Sequence, residues 1–207
     1  MQPLLANAFQ SSTDFMTRGG VFMIPLAVTA LVGLTAIFFK FLSLSRKRVI
    51  PGGLMAMITR GEKLNDIENE AIEGRSTLAR LVNVALRHRD KPQSDIIASV
   101  ESSAREEASR LHAGIGVLDI VITVAPLLGL LGTASGLVTI FDGWSDSSDW
   151  VKIGLGIAQA LNTTILGLAI AVPCVVAHGY FTRRIEVFTA RLEALLAEFA
   201  NACQEKD

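Results

Sequence analysis

Cysteine and histidine are scarce in this chain: two Cys and three His among 207 residues. That is little material for a disulfide framework or a metal centre. Cys174 lies inside a long apolar run, and Cys203 lies in a tail expected to face a reducing compartment. No disulfide is expected, and both thiols read as packing residues. His88, His112 and His178 stand at no metal-ligand spacing from a Cys or carboxylate cluster. A Gly-rich phosphate loop, a Walker pattern and a basic strip interleaved with aromatics are all missing. The chain therefore lacks the usual signatures of nucleotide-driven catalysis and nucleic-acid binding, and no cofactor is expected. Gly/Ser-rich linkers of a multidomain protein are absent as well.

What the chain does have is long apolar runs. Half of its residues are hydrophobic and its formal net charge is −1, but soluble domains come near that apolar fraction too. The distribution decides. About 30 Å of hydrocarbon needs about 20 residues of helix at 1.5 Å each. Three segments reach that length: 21–42, 117–141 and 151–181. The first is not read as a cleaved secretory signal. It has no basic start and no small-residue cleavage site after it; Lys40, Arg46, Lys47 and Arg48 follow instead, as in a stop-transfer sequence.

Cations set the expected orientation. Residues 43–114 hold twelve Lys and Arg from Arg46 to Arg110, and Arg183, Arg184 and Arg191 follow the third run. The stretch 142–150 has Asp142, Asp146 and Asp149 but no cation, with Trp144 and Trp150 at the place of an interfacial aromatic belt. By the positive-inside rule the N-terminus faces out, and the long loop and the C-terminus face the cytoplasm. The expected organisation is an outer N-terminal segment (1–20), a first span (21–42), a cytoplasmic helical region (43–116), a second span (117–141), an outer loop (142–150), a third span (151–181) and a cytoplasmic C-terminal helix (182–207).

The cytoplasmic parts read as helical. Residues 94–114 have helix-forming composition and run into the second span with only Gly114 and Gly116 near the junction. Ile185, Phe188, Leu192, Leu195 and Phe199 recur at helical spacing in the tail. Both spans are expected to continue as long helices beyond the membrane, with short helices between 51 and 91 packed on them, Gly61, Gly74 and Pro92 punctuating. The fold class is an all-α membrane protein with three spans and long cytoplasmic helical extensions.

Polar residues inside the second and third spans carry the functional reading. Thr133 lies about eight residues from the outer end of its span, and Thr164 about twelve from the outer start of the next, which places them in one layer. Gln159 lies about a turn further out, and Asn162 and Thr163 belong to the same cluster. Gly129, Gly132 and Gly136 form a small face that lets helices approach closely. A lone threonine in a span often does no more than bond the carbonyl four residues back; two in one layer beside amides point to a polar path. The spans contain no Asp, Glu, Lys, Arg or His in their apolar cores. Hydroxyls can solvate a proton but not carry it, so a titrating group for proton movement would come from another chain. The run GTASG at 132–136 resembles the Gly-x-Ser-Gly of intramembrane serine proteases, but Ser135 and His178 fall roughly 20 Å apart in depth, far beyond hydrogen-bond reach.

Two motifs carry a family resemblance. APLLGLLGT at 125–133, with Gly136 and Phe141 after it, resembles the second-span signature of the proton-channel family that includes ExbB, TolQ and MotA. GIAQALNTT at 156–164, followed by GLAIAVP at 167–173, resembles the third-span signature of the ExbB/TolQ branch, and Gly19, Gly20, Pro25 and Leu26 resemble the start of its first span. Three spans rather than four favour that branch over MotA. The resemblance implies a non-enzymatic subunit of the bacterial inner membrane, N-terminus periplasmic and C-terminus cytoplasmic. It implies a pentameric ring around the single-span helices of a dimeric ExbD- or TolR-type partner, whose membrane Asp carries the proton. The proton motive force would then energise a TonB-like protein for outer-membrane transport. The alternatives are a TolQ-like role in envelope maintenance with a Tol-like protein, or a non-conducting scaffold ring. Thr133 and Thr164 match the family's pore threonines; Gln159 replaces a Glu found in some members, and Asn162 lies beside them. Pro126, Gly129, Gly132, Gly136, Gly167 and Pro173 fall on the helix-packing motif.

Overall fold

The computed structural model describes residues 21–45, 49–89, 91–142 and 150–204. The expected outer segment 1–20, the cations Arg46, Lys47 and Arg48, and loop residues 143–149 with Trp144 lie outside the described residues. All regular structure among the described residues is helical: α1 (Met23–Ser43), α2 (Gly52–Thr59), α3 (Leu64–Glu73), α4 (Thr77–Arg87), α5 (Gln93–His112), α6 (Ile115–Asp142) and α7 (Trp150–Gln204). Three helices are long and apolar enough to cross a membrane: one at Met23–Ser43, one within Ser94–Phe141 and one within Gly156–Phe199.

The chain forms two compact units. One comprises 1–37 and 116–178, the other 38–115 and 179–207. In the first unit the apolar residues go all round the helices rather than along one stripe. Leu31, Leu34, Ile120, Leu127, Leu130, Ile165, Leu168 and Val176 are exposed, as suits helices whose solvent is lipid. Tight contacts fix the helices on their other faces. A Cβ on Gly33 of α1 would lie 2.9 Å from the Cys174 sulfur and 3.1 Å from Val121. Cys174 is buried there as a packing thiol.

The second unit is built around α4. Ser76 caps this helix by accepting the Ala79 N–H at 3.1 Å, replacing one of the bonds that a helix start lacks. Leu78, Ala79, Leu81, Val82 and Ala85 are almost wholly buried. At about 1.5–3 kcal/mol per fully buried large aliphatic side chain, this face contributes substantially to the unit's stability. α4 packs on α3 and α5, and α2 on α3. Two polar ties fix it: Asn83 donates to the Ala71 carbonyl at 2.8 Å, and Arg80 forks onto Glu107 of α5 at 2.9 and 2.5 Å. In α7, Ile185, Phe188, Leu192, Leu195 and Phe199, the set at helical spacing, are all buried.

One expectation needs correction. The helix before the second span does not run into it unbroken. α5 ends at His112, Ala113 is extended (φ −52°, ψ 133°) and Gly114 takes φ +86° before α6 starts at Ile115. That φ is the left-handed region, which glycine enters without the steric cost other residues bear. The α5 carbonyls left over at this end are satisfied from elsewhere: the buried Lys40 ammonium donates to Leu111 and Ala113 carbonyls at 2.5 and 2.8 Å. The third-span helix, in contrast, continues through 55 residues without a break.

Candidate functional site

α6 and α7 meet along a seam of small residues. A Cβ built on Gly156 would strike Ile140, one on Gly136 would lie 2.8 Å from the Ala160 Cβ, and one on Gly132 would lie 2.6 Å from the Thr163 hydroxyl oxygen. On Gly129 it would lie 2.8 Å from the Thr163 carbonyl oxygen, and on Gly167 2.5 Å from that of Ala125. The positions rise along one helix as they fall along the other, so the two run antiparallel. At Gly129 and Gly167 the nearest atoms are backbone, so any side chain larger than hydrogen there would force the helices apart, while at Gly132, Gly136 and Gly156 a side chain of the facing helix would have to give.

The close approach brings three threonine hydroxyls onto two backbone carbonyls. Thr133 bonds the Gly129 carbonyl at 3.0 Å and that of Ala160 at 3.3 Å. Thr164 reaches across to the Gly129 carbonyl at 3.0 Å, and the hydroxyls of Thr133 and Thr164 also contact each other directly. Thr163, 1% exposed, bonds the Ala160 and Gly129 carbonyls at 2.7 and 3.1 Å. Thr133 is thus both back-bonded within its helix and joined to α7. A carbonyl oxygen has two lone pairs and each hydroxyl one proton, so the contacts are alternatives within one network. Thr133 and Thr164 are half-buried, which leaves part of the pair accessible beside the seam.

The other expected residues take separate places. Gly129, Gly132, Gly136 and Gly167 line the seam within this single chain. Asn162 is half-buried, about 100° round α7 from Thr163. Gln159 lies on α7, and its side chain is outside the described residues. Pro126 and Pro173 sit inside α6 and α7, where each removes one intrahelical hydrogen bond. Thr163 was not singled out as a site residue from sequence, although Gly156, Ala160, Thr163 and Gly167 repeat at helical spacing and mark the face it belongs to. A cavity of about 320 Å³ lies along the seam, lined in part by Phe22, Ser135, Thr139 and Thr163.

His178 and Asp119 meet further along the same two helices, near the start of α6 and midway along α7, Nε2 to Oδ1 at 3.0 Å. Asp119 and Ser135 are separated by about 24 Å of helix, so His178 serves no serine nucleophile at Ser135. Among the described residues no group of three or more His, Cys, Asp or Glu could hold a metal ion.

Comparison with known proteins gives this geometry a lineage. The model of the MotA/TolQ/ExbB proton channel family matches residues 69–194. The chain belongs to that family. It is 32% identical over 183 residues to a Synechocystis sp. biopolymer transport protein designated ExbB-like 1, covering 82% of this chain and 70% of that protein. It is 29% identical to the Vibrio cholerae biopolymer transport protein exbB1, covering 82% and 77% of the two chains. It is 32% identical over 122 residues to TolQ of the Tol-Pal system of Pseudomonas aeruginosa, covering 55% and 53% of the two chains. These relatives place the chain in the ExbB/TolQ branch, as a membrane transport component rather than a member of an enzyme family.

Proposed function

We infer that the protein is the proton-channel subunit of an inner-membrane motor of the ExbB type, in which Thr133 and Thr164 line the proton path. The observation that carries the reading is the direct contact of these two hydroxyls across the α6–α7 seam, over the Gly129 carbonyl. Hydroxyls paired in an apolar layer can exchange hydrogen bonds with a carboxyl group or water, yet hold no charge of their own. The family resemblance supplies the proton carrier this leaves open: a membrane Asp on a dimeric, single-span ExbD- or TolR-type partner, enclosed by a homopentameric ring of this chain. The N-terminus lies in the periplasm and the C-terminus in the cytoplasm. Proton flow energises a TonB-like protein for outer-membrane transport. The TolQ similarity supports a second reading, service to a Tol-like system, and the partner that co-purifies with the native complex distinguishes the two.

The test is the double substitution Thr133→Val and Thr164→Val, which keeps the volume nearly constant. Each lost hydrogen bond costs about 0.5–1.5 kcal/mol. If both act on the conducting barrier, proton flux in reconstituted complexes falls roughly 5- to 150-fold while the complex still assembles. A complex that assembles and conducts at the wild-type rate makes the threonines packing residues and the ring a scaffold.

A further inference from the structure

Asp119 lies 14 residues from Thr133 on α6, and His178 lies 14 residues from Thr164 on α7. The two pairs therefore lie on the same pair of helices, about 21 Å apart and rotated by only about 40° around each helix. One is made of hydroxyls in an apolar layer. The other is a titratable pair, 31% and 61% exposed at the side chains, near the start of α6 and midway along α7.

The geometry points to the His178–Asp119 pair as a proton-exchange site on the cytoplasmic side of the channel, where protons pass between the path and bulk water. This rests on reading Thr133 and Thr164 as the conducting layer. The chemistry follows from the 3.0 Å contact. Nε2–H of a neutral imidazole donates to the Asp119 carboxylate, which leaves the Nδ1 lone pair to take the excess proton from a hydronium in the path, releasing water. The resulting imidazolium is held by the carboxylate, and Nδ1–H then gives its proton to a bulk water. The gap of about 21 Å excludes direct transfer from the hydroxyl layer, so water links the two. Imidazole suits the task because it is the side chain that ordinarily changes charge between about pH 5 and 8.

Few other groups on the adjoining helices could take the role. α1 contributes Lys40 alone, and its ammonium is held by the Leu111 and Ala113 carbonyls. α6 contributes Asp119 and, at its far end, Asp142. On α7 the nearest charges are Arg183, paired with Glu186, and Arg184, bonded to Tyr180; a guanidinium does not release its proton at working pH.

The experiment measures proton flux in vesicles containing the native complex, with the internal and external pH varied from about 5.5 to 8.5. His178→Gln keeps a hydrogen-bonding side chain that cannot take up a proton; its flux should fall at least fivefold. Asp119→Asn removes the carboxylate that accepts from Nε2–H and holds the imidazolium, and its flux should fall as well. Imidazole in the compartment facing His178 should restore flux to His178→Ala and leave the Thr133→Val, Thr164→Val double variant unrescued. An inward-facing pair that only ties α6 to α7 gives the opposite result. His178→Gln would then conduct with the wild-type pH profile while the threonine double variant does not, and the exchange role would be overturned. If the threonine variant conducts fully as well, the reading of the hydroxyl layer falls first. Should His178→Gln fail to assemble, the Asp119→Asn flux and the imidazole rescue of His178→Ala still decide: wild-type flux in the first and no rescue in the second reject the site.

Discussion

Gly132 and Thr163 face each other across the α6–α7 seam so closely that a Cβ on Gly132 would lie 2.6 Å from the Thr163 hydroxyl oxygen. The contact is internal to one chain, so enlarging Gly132 acts on the folding of the subunit before it acts on any contact between subunits. Gly132→Leu should destabilise the detergent-solubilised protein by about 1–3 kcal/mol or more through overpacking. Gly116→Ala, which meets nothing within 4 Å, should leave stability unchanged or raise it by up to about 1 kcal/mol. Thermal unfolding of the two variants side by side checks the difference; equal midpoints would mean the seam yields.

The buried Thr163 hydroxyl should matter for stability rather than conduction. Thr163→Val leaves the Ala160 and Gly129 carbonyls with one donor fewer, at a cost of about 0.5–1.5 kcal/mol. Thr163→Ser keeps the hydroxyl and should recover most of the loss. Equal unfolding midpoints for Val and Ser would show that the hydroxyl contributes nothing.

Lys40 reaches across to the end of α5, with two carbonyls on one ammonium. Lys40→Met should cost about 1.5–3 kcal/mol, the range for a hydrogen bond to a charged group. Amide exchange should quicken around 111–115. Exchange unchanged in that stretch would mean that Gly114 alone maintains the turn.

Arg80 and Glu107 tie α4 to α5, with Glu107 at 7% and Arg80 at 46% side-chain exposure. The Glu107 hydrogen bond holds the Arg80 proton above arginine's ordinary range, against the opposing effect of partial burial. A raised value contributes stability at every pH below the unfolded one and loses it only as pH climbs through the folded one, far above neutrality. Arg80 therefore adds no pH dependence between about pH 5 and 9. A double-mutant cycle of Arg80→Gln and Glu107→Gln should give a coupling near 1 kcal/mol, since solvent screens the exposed guanidinium; a coupling of zero would make the tie incidental.

Orientation is open to labelling. With Cys203 replaced by Ser, a Cys at position 147 should react with an impermeant maleimide added to the periplasmic side, and a Cys at position 94 should not. The reverse pattern would invert the membrane topology and the cytoplasmic assignment of residues 43–116 together.

Spans were legible because bilayer thickness dictates a length, and composition alone meets it. The layer shared by Thr133 and Thr164 followed from counting residues inward along two antiparallel spans. Their facing each other did not follow from depth; it needs the azimuth that the glycines at 129, 132 and 136 impose against Ala160, Thr163 and Thr164. The break at Ala113–Gly114 was missed for a nonlocal reason. Its exposed carbonyls are bonded by Lys40, 71 residues earlier in sequence, and nothing adjacent to Gly114 announces that donor. Likewise Asp119 and His178 each read as residues at the ends of spans, and their contact emerges only from the antiparallel register of the seam.

The threonine layer has a property that belongs to its hydrogens rather than its heavy atoms. Between Thr133 and Thr164 either oxygen can be the donor, and the Gly129 and Ala160 carbonyls accept whichever hydroxyl turns toward them. Several arrangements of three protons therefore fit one backbone, and rotating hydroxyls exchanges them without moving a helix. Such a layer presents a donor to an ionised carboxylate and an acceptor to a protonated carboxylic acid with the same atoms. Rotation of side chains alone is enough to reverse the hydrogen-bond polarity that this layer presents.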